Sequence, residues 1–373
     1  FYNRGYNTLP GGGSPPVVYT PTIYYSYINQ IPQAASTAVY SPTSGSAIYG
    51  HQALERAHQF NLTIQRDIGF QTVVDIGYVG TFDRHASESI AMNPVPLGAY
   101  ADPENLFQGT PLTSNLVRKN YPGMGSISYT SYSNSPVNYH GLQTSLQHRM
   151  SHGVGFGAAY TFSKVLGTNG NDAPYHNHKW WYGPTENDRR HLATWHFAWN
   201  LPRPAMSWKG SGAIFGGWTL SGIGIITTGA PTNPSCSSTA AFPASDPSLS
   251  GGGARCKMVA DPKAFTHDFY NNFNTKAFVL ADIGTFGNIG YNILRRPTWW
   301  NFDASLEKRV SFRERASLRL RFQAFNVFNH TEFNNIGTSY SFNAAGQNLS
   351  TTTGQYTGTQ PARQVAMSVR LEF

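Results

Sequence analysis

The stretches WNFDASLEK (300–308) and SLRLRFQA (317–324) decide the fold. In the first, Trp300, Phe302, Ala304, Leu306 and Lys308 alternate with Asn301, Asp303, Ser305 and Glu307. In the second, Leu318, Leu320, Phe322 and Ala324 alternate with Ser317, Arg319, Arg321 and Gln323. Successive side chains of a strand point to opposite faces, so each stretch reads as a strand with one apolar and one polar, charged face. Residues 311–314 between them read as a tight turn. A hairpin pairing about position 312 would set Asp303 against Arg321 and Ser305 against Arg319 on the polar face, and Phe302 against Phe322 on the apolar one.

The same period recurs outward from this hairpin. Val365, Met367, Val369, Leu371 and Phe373 form a row at the C-terminus. Ala193, Trp195, Phe197 and Trp199 form another, as do Val154, Phe156, Ala158, Tyr160 and Phe162. Further rows occupy 142–148, 72–78 and 60–64. The stretch GAIFGGWTLSGIGIITTGA (212–230) is apolar enough to test as a membrane helix, but six glycines, each about 1 kcal/mol unfavourable in a helix interior, argue for a strand. Expected strands fall near 19–28, 58–67, 71–80, 138–149, 153–164, 189–200, 215–228, 299–310, 315–328 and 363–373. Most are about ten residues long, enough for a tilted strand to cross a bilayer and longer than a typical soluble strand.

The connections alternate between short (68–70, 150–152, 201–214, 311–314) and long (29–57, 81–137, 165–188, 229–298, 329–362). Outer-membrane barrels have this asymmetry, with short periplasmic turns and long external loops. Trp180, Trp181 and Tyr182, the pair Trp299 and Trp300, and Tyr24, Tyr25 and Tyr27 sit where strands begin, as aromatic girdles do. The predicted fold is all-β, an antiparallel transmembrane β-barrel of about ten strands here, in one domain spanning 1–373 or forming the C-terminal part of one. Residues 1–57 carry the weakest signal. A soluble β-sandwich or secreted jelly roll is the alternative.

Composition agrees. The 373 residues carry 12% charged and 14% aromatic side chains, a net charge of +8, 37 Gly and 2 Cys. Aromatic content excludes a disordered chain, and two cysteines exclude a disulfide-dense scaffold or a four-thiolate metal site. A mean hydropathy of −0.36 argues against a helical membrane bundle. Basic residues are spread out, without the clusters of a nucleic-acid binder. Position 1 is Phe and no signal peptide leads the chain, which suits either a mature form or a piece of a larger protein.

The residues then resemble a family. FNLTIQRDIGFQTVVDIGYVGTFDRHA (60–86), NYHGLQTSLQHRMSHGVGFGAAYTFSK (138–164), NDRRHLATWHFAWNLP (187–202), GGWTLSGIGIITTGAP (216–231), GTFGNIGYNILRRPTWWNFDASLEKRV (284–310), LRLRFQAFNVFNHTEFNN (318–335) and the ending SVRLEF resemble the C-terminal barrel of TonB-dependent outer-membrane receptors, in particular the Oar-like group with a carboxypeptidase-regulatory-like domain. The resemblance implies residence in a Gram-negative outer membrane and uptake of a large or scarce solute such as a glycan, peptide or chelate. It implies partnership with outer-membrane lipid, TonB and the barrel-assembly machinery, the last reading Phe373 as its terminal aromatic signal. A full receptor of this group has a plug, a TonB box and 22 strands; no plug is found here. The chain is then part of such a barrel or a free-standing relative. A plug-less barrel piece acting through exposed strand edges, by self-assembly at the cell surface, is the second functional reading.

On this reading Phe302, Leu306, Leu318, Leu320 and Phe322 face lipid, and Asp303, Ser305, Glu307, Arg319, Arg321 and Gln323 face the lumen. Cys236 and Cys256 lie in one long external loop. A bridge there would close about 20 residues and contribute roughly 3 kcal/mol, the alternative being two free thiols. His176, His178 and His191 are weak metal candidates; their neighbours lack ligand spacing, and no metal or other cofactor is expected. No G-x-S-x-G, H-E-x-x-H or phosphate loop occurs, so no enzyme is expected. Asp188-Arg189-Arg190-His191 reads as an ion-paired strand entrance.

Overall fold

The computed structural model describes residues 44–48, 50, 53–96, 98–99, 102–107, 110–111, 116–118, 120–121, 125–168, 181–203, 211–239, 255–282, 284–312 and 316–373. Nine long strands run through them: β1 (Arg56–Gly69), β2 (Thr72–Ala91), β3 (Ile127–Ser151), β4 (Val154–Gly167), β5 (His191–Asn200), β6 (Trp218–Thr227), β7 (Trp299–Phe312), β8 (Ala316–Phe325) and β9 (Gln364–Glu372). They pair in chain order into one antiparallel sheet. Each coincides with an expected strand; the remaining expected strand, 19–28, lies outside the described residues. Among the described residues β1 and β9 each pair on one side only, so the sheet has two free edges.

At one end the turns are tight. Phe70 and Gln71 join β1 to β2, and His152 and Gly153 join β3 to β4. All four residues have positive φ, which matches the right-handed twist of a two-residue hairpin and which only Gly153 adopts without steric cost. The longer link from β5 to β6 carries a one-turn helix, Ser211–Phe215. Lys308, at the turn end of the apolar row, is buried beneath it, with its ammonium donating to the carbonyls of Ile214 and Gly216 and lying 5.2 Å from the Trp218 ring.

Two features differ from the sequence reading. The hairpin of β7 and β8 pairs about position 314, not 312. Glu307 stands opposite Arg321, Ser305 opposite Gln323 and Leu306 opposite Phe322. Pairing continues through Phe312 opposite Ala316, so Ser311 and Phe312 belong to the strand and not to the expected 311–314 turn. The Asp303–Arg321, Ser305–Arg319 and Phe302–Phe322 pairs are therefore incorrect. A shift of two preserves side-chain parity, and every residue keeps its face. In the observed register Glu307 meets Arg321 at 2.7 Å, while Asp303 accepts from Asn301 and from the backbone of Asn326. Secondly, β2 and β3 extend ten or more residues into the expected 81–137 loop. That extension is polar on both faces and broken by bulges near Ala86, with His85 at φ 64°. Its buried positions are themselves mostly polar, Glu88 and Ser135 beside Ile90, so burial there is not written as an apolar alternation.

The sheet has two unlike faces. One carries Leu62, Ile64, Ile76, Leu142, Phe156, Phe162 and Phe322, all large, apolar and exposed. Gly222 and Gly224 of β6 are on this face, and rings from the flanking strands fold over them: Phe197 and Phe302 over the first, Trp195 over the second. A side chain at either glycine would displace those rings. Towards the loop end of this face His140 bonds Tyr78 (2.6 Å) and His191 bonds Tyr160 (2.8 Å). The opposite face carries Gln65, Asp75, Ser145, Thr194, Ser221, Glu307, Arg319 and Arg321, with Ile223 and Ile225 as apolar interruptions.

The only large apolar core in the described residues belongs to the loops. Segments 228–239, 255–282, 284–298 and 326–363 interleave into a cap, where Ser235–Ser238 pairs with Ser339–Phe342 and Lys257–Met258 with Phe278–Val279. Phe273, Phe278, Ile289, Leu294, Ile336, Tyr340 and Phe342 pack together beneath it. Cys236 and Cys256 form a disulfide, with Cys256 fully buried in this core and Cys236 packed against it.

Candidate ligand-binding cleft

The cap is fastened to the sheet where β5 and β7 begin. Asp188, three residues before β5, is 1% exposed. Its Oδ1 accepts from the backbone N–H of Val165 at the end of β4 (2.7 Å), and its Oδ2 accepts from Arg295, which stands before β7. Arg295 also donates to the carbonyl of Gly229, just past β6. One buried carboxylate thus ties together the loop ends of four strands. The expected ion-paired strand entrance at Asp188-Arg189-Arg190-His191 has its carboxylate paired with Arg295, 107 residues away.

Beside this anchor is a cleft of about 440 Å³, lined by residues preceding β5 (Glu186, Asn187, Arg189), following β6 (Thr232, Asn233) and preceding β7 (Tyr291, Asn292, Arg296). Its walls are held by specific bonds. Asn292 donates its backbone N–H to the Asn233 side chain (2.7 Å) and its amide to the carbonyl of Pro184 (2.6 Å). Asn292 has φ 54°, a conformation asparagine tolerates better than most residues. Behind Tyr291, the Arg255 guanidinium lies 4.6 Å from the Trp181 ring and 5.3 Å from the Tyr291 ring. Burial lowers the Arg255 pKa to about 10, which leaves it charged at neutral pH. Burial likewise raises the Tyr291 phenol.

Arg189 donates through Nη1 to the carbonyls of Glu186 (2.8 Å) and Asp188 (3.1 Å). Desolvation lowers its pKa most; Asp188 opposes that shift, and Arg295 and Arg296 add to it. Three guanidiniums therefore share one neighbourhood. A second cleft of about 360 Å³ opens on the other side of Arg295 and Arg296, lined by His267, Tyr356 and Ile336. Tyr356 stacks on Phe333 with centroids 4.0 Å apart.

The residues singled out in the sequence lie elsewhere. Glu307, Arg319 and Arg321 form a ladder on the polar face, joined by Glu372, which is 3.4 Å from Arg319. Ser305 and Gln323 are cross-strand neighbours above it. Phe302 stacks on Phe197. Leu306, Leu318, Leu320 and Phe322 lie on the apolar face opposite Leu220, Leu371, Val369 and Met367 respectively. Phe373 follows β9 and is exposed. His191 is engaged with Tyr160, and His176 and His178 lie outside the described residues, as do Trp180, Tyr24, Tyr25 and Tyr27. Sequence reasoning missed the cleft. One signal was available: Arg189-Arg190 and Arg295-Arg296 both stand a few residues before strands that flank β6.

Residues 2–366 match the family described as outer membrane beta barrel domain. The chain belongs to that family. It is an outer-membrane barrel protein of Gram-negative bacteria rather than an enzyme. No curated protein matches the chain. Among solved structures, the barrel aligns with the FrpB iron transporter from Neisseria meningitidis at 12% identity and a TM-score of 0.42, covering 88% of this chain and 32% of that one. The outer membrane transporter YddB from Escherichia coli aligns at 9% identity and a TM-score of 0.42, with 90% and 34% covered. The ferripyoverdine receptor of Pseudomonas aeruginosa aligns at 10% identity and a TM-score of 0.40, with 85% and 27% covered. The chain thus spans about a third of the length of these outer-membrane proteins.

Proposed function

We propose that this outer-membrane barrel chain is barrel wall and ligand-capturing cap of a TonB-dependent uptake receptor, resembling the Oar-like group, for a large or scarce solute such as a glycan, peptide or chelate. The observation that carries the reading is the polarity of the sheet along its strands. One end carries the two-residue turns at Phe70–Gln71 and His152–Gly153, and the other carries a folded, disulfide-linked cap with a charged cleft. Outer-membrane barrels place such turns in the periplasm and such loops outside.

In this arrangement Phe302, Leu306, Leu318, Leu320 and Phe322 contact lipid. Asp303, Ser305, Glu307, Arg319, Arg321 and Gln323 line the water-filled side. Lipid offers no hydrogen bonds, so a backbone spanning it must be fully paired. The free edges of β1 and β9 then meet further strands of a larger barrel. TonB supplies the energy for passage, and the assembly machinery reads Phe373. The test compares culture medium from wild-type cells and cells lacking the gene, each with and without a protonophore, by mass spectrometry. The reading expects at least one solute depleted by untreated wild-type cells alone. Identical depletion in all four cultures contradicts it.

The free edges support a second reading, a surface component that assembles edge to edge, because unpaired strands template further pairing. Heat-modifiable migration of a detergent-dependent species favours the receptor, and detergent-free ordered multimers favour assembly.

A further inference from the structure

We propose that the cleft over β5, β6 and β7 binds a solute through an oxyanion group, carboxylate or phosphate, gripped by Arg189 and Arg296. The proposal deepens the receptor reading by naming a substrate class.

Three observations carry it. Arg189 spends Nη1 on two backbone carbonyls, which fixes its plane and leaves Nε and Nη2 without a protein acceptor among the described residues. That pair of nitrogens is the fork that matches two oxygens of a carboxylate or phosphate. Arg296 lines the same cleft and has no hydrogen bond or ion pair from its side chain among the described residues. Arg295 neutralises Asp188, so that carboxylate does not compete for the other two guanidiniums.

The surroundings fit a small solute. A volume of about 440 Å³ lies within the range of small-molecule sites. Asn187, Thr232 and Asn233 add neutral polar contacts. Glu186 is the one acidic side chain on the lining and is exposed at the rim, where it opposes an anion. Arg296 also borders the second cleft beside His267 and Tyr356, so the body of a longer solute can continue from the anionic end onto aromatic surface.

The test titrates the full chain in detergent micelles with citrate, inorganic phosphate and, as a neutral control, maltose, using calorimetry. Citrate or phosphate is expected to bind saturably and maltose not to bind. R296Q and R189Q should each weaken binding at least tenfold, E186Q should tighten it several-fold, and K263Q, which removes a positive charge elsewhere on the cap, should leave it within twofold. Retention of the Cys236–Cys256 bridge and of the wild-type tryptophan emission identifies variants that are folded. No saturable binding of either anion, equal binding of maltose, or anion binding unchanged in R296Q overturns the proposal. The medium comparison separates this from the receptor reading: arginine-dependent binding without protonophore-sensitive depletion retains the site and rejects the receptor, and the reverse result rejects the site alone.

Discussion

The sheet and the cap use the same apolar residue types in opposite ways. On the sheet Leu62 and Ile64 are 70% and 68% exposed, and Val365 is 73% exposed. In the cap Phe278 and Ile289 are 2% and 1% exposed. The cap is organised as a water-soluble protein is, apolar inside and stapled by a disulfide. The sheet is the reverse, with its large apolar surface turned outward. In water such a surface would drive aggregation, since soluble monomers rarely expose apolar patches beyond a few hundred Å². The two regions meet where β5 and β7 begin, at the Asp188–Arg295 anchor.

The largest way to break this comparison is at that anchor and the core above it. Asp188→Ala leaves Arg295 half-buried and without its carboxylate, a change expected to cost about 3–5 kcal/mol. Phe278→Ala opens a cavity in the cap core with a similar loss of about 3–5 kcal/mol. Limited proteolysis should cut the cap of both variants rapidly while the strands remain protected. Equal protection of the cap in wild type and both variants would contradict the account.

Reduction of the Cys236–Cys256 bridge comes next. Closing a loop of this size is worth about 3 kcal/mol in the chain-entropy description, so reduction should lower cap stability by roughly that amount. Hydrogen exchange should speed up around Lys257–Met258 and Ser339–Phe342 and stay unchanged in β7 and β8. Acceleration spread evenly over both regions would mean that cap and sheet unfold together.

The sheet answers to a different rule. Leu62→Arg is expected to destabilise the membrane-inserted protein by about 2–4 kcal/mol if the site is near mid-bilayer, and Gln65→Arg on the other face by under about 0.5 kcal/mol. Denaturant unfolding in lipid vesicles checks the difference, and equal effects would erase the two-faced sheet. The smallest effect concerns register. A double-mutant cycle on Glu307 and Arg321 should give a coupling of about 0.2–1 kcal/mol, and the same cycle on Asp303 and Arg321 none.

The sequence legible in period two gave strand positions and faces because a half-apolar strand writes its burial into alternate residues. The rows around Leu320 and Phe162 did so plainly. Register was beyond reach: Asp303 and Glu307 are equally good partners for Arg321 on paper, and only the point at which the two strands reverse decides between them. The outer parts of β2 and β3 were hidden because the residues buried there, Glu88 and Ser135 beside Ile90, are mostly polar and the bulges near Ala86 interrupt the period. The cleft was hidden for another reason. Arg189, Thr232 and Arg296 come from three separated loops, and no local spacing joins them. Only the repeated Arg-Arg before β5 and β7 hinted that those strand entrances are alike.

The central claim is that hydrocarbon touches one face of this sheet and water the other. Nitroxide labels at Leu306, Leu320 and Phe322, and in turn at Ser305, Arg321 and Gln323, test it by collision with dissolved oxygen against a water-soluble nickel chelate in lipid vesicles. The account predicts high oxygen and low nickel accessibility for the first three and the reverse for the second three. Labels at Leu306, Leu320 and Phe322 that meet neither reagent would put those residues in a dry protein interior and contradict it.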